Sequence, residues 1–328
     1  MSQKFCRRIF QYLSLIAVLG SVSDARGQSS VGDADGYPAR AIRLVVPFGA
    51  GAATDTLGRV IAQKLEAKWK QTVYVENLAG GGGLLGAAAV SRAAPDGYSF
   101  VLVTSSHVIA PAIMANPPFD PIKNFAPVTL LAKAPSILLA GHASGINTLA
   151  DLVTAGRSKD VSYGSSGLGS KHHITVVEFA RLSGTKLQHI PYRGSAQAMN
   201  DLMGGHLPVQ MGSVSFAHGV VRDGKVKALA LAGEARHPML PDVPTFTELG
   251  YPLVSAEWWG LLAPAGTPRP ILDKIAGEIA QIVQMPDVKA RMPADERVSS
   301  SPQGFSQFMQ DEAALWGRIA KDAGVRLE

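Results

Sequence analysis

Only one cysteine, Cys6, occurs among the 328 residues, and it lies ahead of an apolar run near the amino terminus. If that run is a cleaved leader, the mature chain has no disulfide, no thiolate nucleophile and no Cys-ligated zinc. The position of Cys6 also excludes it as a lipid-anchor cysteine at a cleavage site. No apolar stretch reaches the about 20 residues that a membrane-spanning helix needs. Blocks of Lys and Arg interleaved with aromatics are missing too, so nucleic-acid recognition is unsupported. A Gly-x-Ser-x-Gly nucleophile elbow is absent: Gly164-Ser165-Ser166-Gly167 is one residue short. His107, His142, His189, His206, His218 and His237 are scattered without ligand spacing. His172 and His173 are adjacent, so on a helix they point in different directions and cannot chelate one metal together. The sequence therefore calls for no metal and no cofactor.

What is present is a chain with 46% hydrophobic and 17% charged residues, enough to build well-packed cores in two α/β lobes. Lys4, Arg7 and Arg8 precede the apolar run from Ile9 to Leu19, and Ser23 and Ala25 stand at plausible −3 and −1 positions. That is the layout of a secretory signal peptide over residues 1–25, which predicts a periplasmic protein. Its removal takes three basic residues and one acid, lowering the formal charge from +5 to +3. Residues 26–36 read as a flexible Gly/Ser/Asp-rich linker.

Beyond the linker, apolar runs alternate between strand and helix periods. Ile42 to Val46 reads as a buried strand, and Leu57, Val60, Ile61 and Leu65 form one helical face. Val73 to Val75 completes a β-α-β unit. Gly80 to Gly83 opens another helix, and Tyr98 to Val103 is a third strand. Val128 to Ala140 is a long extended stretch broken by Pro135, of the length that runs from one lobe to another. The alternation then repeats from Leu149 to Phe179, with further strand-like runs at 187–190, 209–211 and 226–231. Val254 to Leu262 reads as a second crossing, with Trp258-Trp259 as lining or plain packing. Thr267-Pro268 and Ser301-Pro302 are N-cap and N1 pairs for two closing helices.

In open α/β sheets, ligands bind beyond the carboxyl ends of strands, where loops enter helices. Two loops have that position: Phe48-Gly49-Ala50-Gly51-Ala52-Ala53-Thr54-Asp55 and Tyr163-Gly164-Ser165-Ser166-Gly167-Leu168-Gly169-Ser170. Open glycine amides and the positive end of a helix dipole favour an anion there, and the second loop adds hydroxyls. Ordinary βα turns use glycine for positive φ in the same way. Two enzyme motifs come close and fail. Gly49-x-Gly51 with Glu76 approaches a dinucleotide fingerprint, but Thr54 replaces its third glycine. Gly164-x4-Gly169-Ser170-Lys171 reverses the last two residues of a phosphate-binding loop.

A broader likeness runs through the chain. Tyr37-Pro38, Ile42 to Phe48, Thr54-Asp55, Asn77 with Gly80-Gly81-Gly82, and Pro95 to Tyr98 resemble the Bug family. So do Tyr163 to Ser170, Pro191 to Gly194, Leu240 to Thr245, Trp259 to Leu261 and Ala263 to Pro268. These are the TctC-like periplasmic receptors of tripartite tricarboxylate transporters. The resemblance implies a two-lobed periplasmic-binding-protein (type II, Venus-flytrap) fold, α/β with doubly wound sheets and two crossover segments. The expected lobes are 37–139 plus 254–328 and 140–253. It further implies a non-enzymatic, monomeric receptor for a small carboxylate (a di- or tricarboxylate, aromatic carboxylate or amino acid). Its partners would be a membrane carrier and a small companion subunit.

The expected ligand set is Phe48, Gly49, Gly51, Ala53, Thr54 and Asp55; Ser105, Ser106 and His107; Ser165, Ser166, Gly167, Gly169 and Ser170; and Ser213. Departures from the family pattern are Ala52, where a second glycine is usual, and Gly212-Ser213, where an aromatic and an aspartate are common. If Ser213 faces the cleft, the lost acid disfavours ligands with an amino group. Rival readings are a sensor that hands its closed form to a signalling partner, and an exported hydrolase using Ser165 or Ser166.

Overall fold

The computed structural model describes residues 36–51, 53–291 and 295–326. The expected signal peptide, nearly all of the linker, and Ala52 lie outside the described residues. The elements run β1 (Ile42–Val46), α1 (Ala53–Trp69), β2 (Val73–Asn77), a 3-10 turn (Gly81–Gly83), α2 (Leu84–Ser91), β3 (Ser99–Thr104) and α3 (Ser106–Ile113). Next come the 16-residue β4 (Phe125–Ala140), α4 (Leu149–Ser158), β5 (Val161–Ser165), α5 (Lys171–Ser183), β6 (Leu187–Pro191) and α6 (Ser195–Met203). β7 (Val209–Ser213), α7 (Val214–Arg222), β8 (Lys227–Leu231) and β9 (Ala256–Pro264) follow. The chain closes with α8 (Arg269–Ile282), α9 (Pro286–Arg291), β10 (Glu296–Arg297) and α10 (Pro302–Asp322).

The strands lie in the order β2-β1-β3-β9-β4-β7-β5-β6, with β8 and β10 also paired to β4. β1 is parallel to β2 and β3, and β5 is parallel to β6 and β7, as β-α-β connections require. The two crossings interrupt this pattern. β4 and β9 are antiparallel to each other because one carries the chain outward and the other returns it. β4 pairs β9 through residues 125–135 and then β7 from Ser136 onward. Pro135, expected to break the stretch, falls at this change of partner, where its missing N–H disturbs the ladder least.

Strand alternation sends each β1 side chain to one of two cores. Ile42, Leu44 and Val46 face α1 and α8, packing on Leu57, Ile61, Leu65, Ile275 and Ile279. Val45 faces the opposite layer with Val101, Val103, Phe305, Met309 and Trp316. Two further clusters flank the second group of strands, one around Leu138, Phe179 and Met211, the other around Leu139, Met199 and Leu207. Ile174 of α5 crosses over and is buried with Trp258 and Phe305.

The two Ser/Thr-Pro signals differ in outcome. Ser301 caps α10, its hydroxyl accepting from Gly304 N at 3.1 Å. Thr267 does not cap α8: Pro268 takes the N-cap position, and the Thr267 hydroxyl donates back to Pro264 O at 2.8 Å.

Close packing at β9 gives a stability test. A Cβ on Gly260 would collide with the Phe305 ring, whereas one on exposed Gly277 in α8 would meet nothing within 4 Å. Gly260→Ala is expected to lose about 1–3 kcal/mol by overpacking, and Gly277→Ala to gain about 0.5–1 kcal/mol. Urea titration of both variants checks this, and equal midpoints would contradict the packing argument.

Candidate functional site

The first loop joins β1 to α1, and its shape depends on Asp55. The buried Asp55 carboxylate accepts from Gly51 N at 2.9 Å, Arg59 Nε at 2.9 Å and Asn77 Nδ2 at 2.9 Å. Asn77 Nδ2 also donates to Phe48 O at 3.0 Å. Burial alone would raise the Asp55 pKa, but these donors outweigh it and hold the carboxyl below its ordinary value. Asp55 is thus a post for the loop, and the Gly51 amide, expected to be open, is already engaged. Gly51 instead supplies a φ of +82°. The donors left to an anion are the first-turn amides of α1 at Ala53, Thr54 and Asp55, which have no intrahelical acceptor.

The second loop joins β5 to α5 and is braced by histidines. Ser165 Oγ lies 2.7 Å from His189 Nε2 and exchanges 3.1 Å bonds with the N–H and C=O of Gly167. Ser166 Oγ lies 3.0 Å from His172 Nδ1. Gly169 N donates to His173 Nδ1 at 3.2 Å. Ser170 caps α5 by accepting from His173 N at 3.2 Å, and its hydroxyl donates to Gly167 O at 2.6 Å. The rings of His173 and His189 stack with centroids 4.0 Å apart. As in the first loop, the amides of Gly167, Gly169 and Ser170 are consumed locally. The first-turn amides of Lys171 and His172 remain for a ligand.

These Ser–His contacts supply the base that the hydrolase reading lacked in sequence. Ser165 is fully buried, and among the described residues no carboxylate hydrogen-bonds to either imidazole. Lys171 turns away from the loop entirely. Its Nζ meets Glu312 Oε2 at 2.5 Å and lies 3.9 Å from the Trp316 ring centroid, which removes the phosphate-loop reading a second time.

Residues Ser255, Glu257 and Trp259 alternate onto one face at the start of β9, and this face brings the two loops together. Trp259 Nε1 donates to Thr54 Oγ1 in the first turn of α1 at 3.2 Å. Ser255 Oγ lies 2.7 Å from Thr175 Oγ1 of α5 and 3.3 Å from Ser136 Oγ of β4. Both helices therefore begin over the same face of the crossing, with Glu257 between them. The Gly81–Gly83 turn approaches the second loop at the rim, where a Cβ on Gly82 would stand 4.0 Å from Leu168 O.

Other expected site residues divide. Ser105 joins the floor: its amide and hydroxyl both donate to Glu257 Oε1, the amide at 3.0 Å. The buried Ser106 hydroxyl is 3.5 Å from Thr104 Oγ1. His107 does not join the two loops. It is buried against Phe119 and Phe125, with Nε2 3.0 Å from Pro121 O, and burial lowers its pKa to about 4. Ser213 pairs with Ser136 across β4 and β7 and so shares its face, but its hydroxyl does not cap α7. Gly212 faces the other way, where a Cβ would meet only Gln210 Nε2, at 3.9 Å. Phe48 is half-buried and Gly49 exposed. Sequence reasoning missed Glu257 and the bracing histidines. The available signal was a lone acid beside two tryptophans in an otherwise apolar crossing strand.

With this geometry in place, comparison with known proteins is informative. The TctC family model, "Tripartite tricarboxylate transporter family receptor", matches residues 57–325. The chain belongs to this family. Protein BugT of Bordetella pertussis is 31% identical over 321 residues, covering 96% of this chain and 98% of that protein. The structure of the periplasmic binding protein BugD is 32% identical with a TM-score of 0.82, covering 89% of this chain and 100% of that one. MatC from Rhodopseudomonas palustris, solved with bound malate, is 31% identical with a TM-score of 0.79, covering 86% of this chain and 99% of that one. The receptor therefore has the two-lobed binding-protein fold and is of the solute-binding kind. No helix among the described residues is long and apolar enough to cross a membrane.

The histidine brace predicts an acid-sensitive receptor. Burial pushes the His173 pKa down to about 3, with His189 adding to the shift, and burial pushes His189 down to about 4. Both folded values lie below the ordinary value near 6.5, so the unfolded chain binds more protons between those limits. Their contribution to stability is complete above about pH 6.5 and is lost as pH falls towards 4. The melting temperature should drop between pH 7 and pH 4.5, and the drop should be shallower for His189→Gln. Parallel profiles for the two proteins would refute the assignment.

Proposed function

We infer that the receptor is exported by cleavage of residues 1–25 and captures a small carboxylate without transforming it. It would present that carboxylate, as a monomer, to the membrane carrier and small companion subunit of a tripartite tricarboxylate transporter. The observation that carries this reading is the convergence of two helix N-termini, those of α1 and α5, over one face of the crossing strands. Each offers first-turn amides and the positive end of a helix dipole, a combination suited to a carboxylate. The malate bound to MatC is in keeping with it.

Capture works by closure of two lobes, 37–139 with 254–328 against 140–253, about β4 and β9. A ligand touching both lobes stabilises the closed state by its differential affinity. Export is tested by mass spectrometry of the periplasmic protein, where retention of Met1–Ala25 would sink it.

A thermal-shift screen of carboxylates tests capture. A solute at 100 times its Kd should stabilise the native state by about 2.7 kcal/mol, and chelator treatment should leave the shift unchanged. Calorimetry on variants then tests the two loops. Gly51 has φ +82° and Gly167 φ +135°, so Gly51→Val and Gly167→Val each force a β-branched residue into the left-handed region. Both variants should remain folded by circular dichroism and lose at least about tenfold in affinity, since the strain of about 1–3 kcal/mol falls on the loop. Undiminished affinity in both would place the site elsewhere.

A further inference from the structure

Glu257 is a buried carboxylate that makes no direct ion pair among the described residues, although the cation of Lys171 lies within its field. It is 6% exposed, and among the described residues no Lys, Arg or His nitrogen lies within ion-pair distance of it. The nearby cation, Lys171, is committed to Glu312, which also accepts from Trp258 Nε1 at 2.8 Å and Trp316 Nε1 at 3.2 Å. Glu257 Oε1 accepts only neutral donors: the Ser105 amide and hydroxyl, and the Trp258 amide at 3.3 Å. Among the described residues, Oε2 accepts no hydrogen bond. A buried carboxylate with one oxygen unbonded is better satisfied when a cationic donor meets that oxygen.

A second polar atom stands open nearby. His172 shares a helix face with Thr175, three residues on, whose hydroxyl touches Ser255 at the same crossing. His172 is 3% exposed, its Nδ1 is held by Ser166, and its Nε2 is buried with no partner among the described residues. Burial holds its pKa below the ordinary value, and the field of Glu257 acts in the opposite direction.

We propose that Glu257 and His172 form a selectivity subsite on the cleft floor that receives a protonated amine of the ligand. The preferred solute is then an amino-substituted carboxylate, not a plain polycarboxylate. This rests on the carboxylate-receptor reading above and adds the ammonium partner to it. It also reverses the expectation drawn from Ser213, because β9 supplies an acid on the same face of the crossing. A plain diacid directed at the floor would bring a second negative charge to Glu257, whereas an ammonium forms a charge-assisted hydrogen bond with it.

Calorimetry with matched pairs tests the subsite: succinate against aspartate, glutarate against glutamate, and 3-phenylpropionate against phenylalanine. The wild-type receptor should bind the amino member of at least one pair at least about tenfold more tightly than its partner. Glu257→Gln keeps the side-chain shape and an acceptor for Ser105, and should shrink that ratio by at least about tenfold. The proposal is overturned if the wild type favours the unsubstituted member in every pair that binds, a result independent of how the variant folds. It is equally overturned if folded Glu257→Gln retains the wild-type ratio. If no acid in the set binds, the carboxylate screen decides: an unsubstituted carboxylate as its best ligand overturns the amine subsite, and no carboxylate ligand at all rejects the receptor reading itself.

Discussion

β4 is hydrogen-bonded to both groups of strands, and everything that meets at the site is positioned from it. Nine of its first eleven residues pair with β9, and its last five pair with β7 on one side, while β8 pairs four of them on the other. No flexible linker could hold two sheets in this relation, because each residue of a strand fixes the height and facing of its neighbours. Ser136, at the changeover, sets the facing of both Ser213 and Ser255. From Ser255 the alternation of β9 then delivers Glu257 and Trp259 to the same side, and with them the starts of α5 and α1.

The polar groups on that side are nearly all occupied by one another, which explains how a cleft floor can be buried without collapsing. Ser136, Ser255 and Thr175 form a continuous hydroxyl chain that ends on Lys171 O. Lys171 and Glu312 place a full ion pair between the two groups of helices, with both oxygens of Glu312 receiving tryptophan N–H groups. Such a pair adds little net stability over an apolar substitute, because desolvation offsets most of its attraction. What it does contribute is position. Removing either partner would strand a buried charge, so the start of α5 is held against α10 in one arrangement.

Much of this architecture was legible in the residues. The β-α-β periodicity located both loops, because strand and helix repeats depend on neighbours a few positions apart. Ser301-Pro302 announced its helix for the same local reason. What stayed hidden depended on distant partners. Sequence alone left the loop glycines with free amides, yet Asp55 takes that of Gly51 while Ser165 and His173 take those of Gly167 and Gly169. His189 is 24 positions from Ser165, and Glu257 is 152 from Ser105. His107 sits directly after two serines of the site region but turns into the Phe119–Phe125 aromatic pocket. No periodicity encodes those meetings.

The consumed amides change what the glycines are for. A loop whose N–H groups already bond to Asp55, Ser165 and His173 is rigid before any ligand arrives, and a rigid loop loses less freedom on binding. Its positive-φ glycines are therefore devices for shape, and on the proposed reading the anion is left to the helix first turns. Because those turns carry only partial charge, they attract any carboxylate with little discrimination. Selectivity must then come from full charges or fixed dipoles farther along the ligand. On the described floor Asp55 is paired with Arg59 and Lys171 with Glu312, while burial keeps His172, His173 and His189 neutral. Glu257 is the carboxylate on that floor with no direct ion pair, which is why the proposed amine subsite is assigned to it.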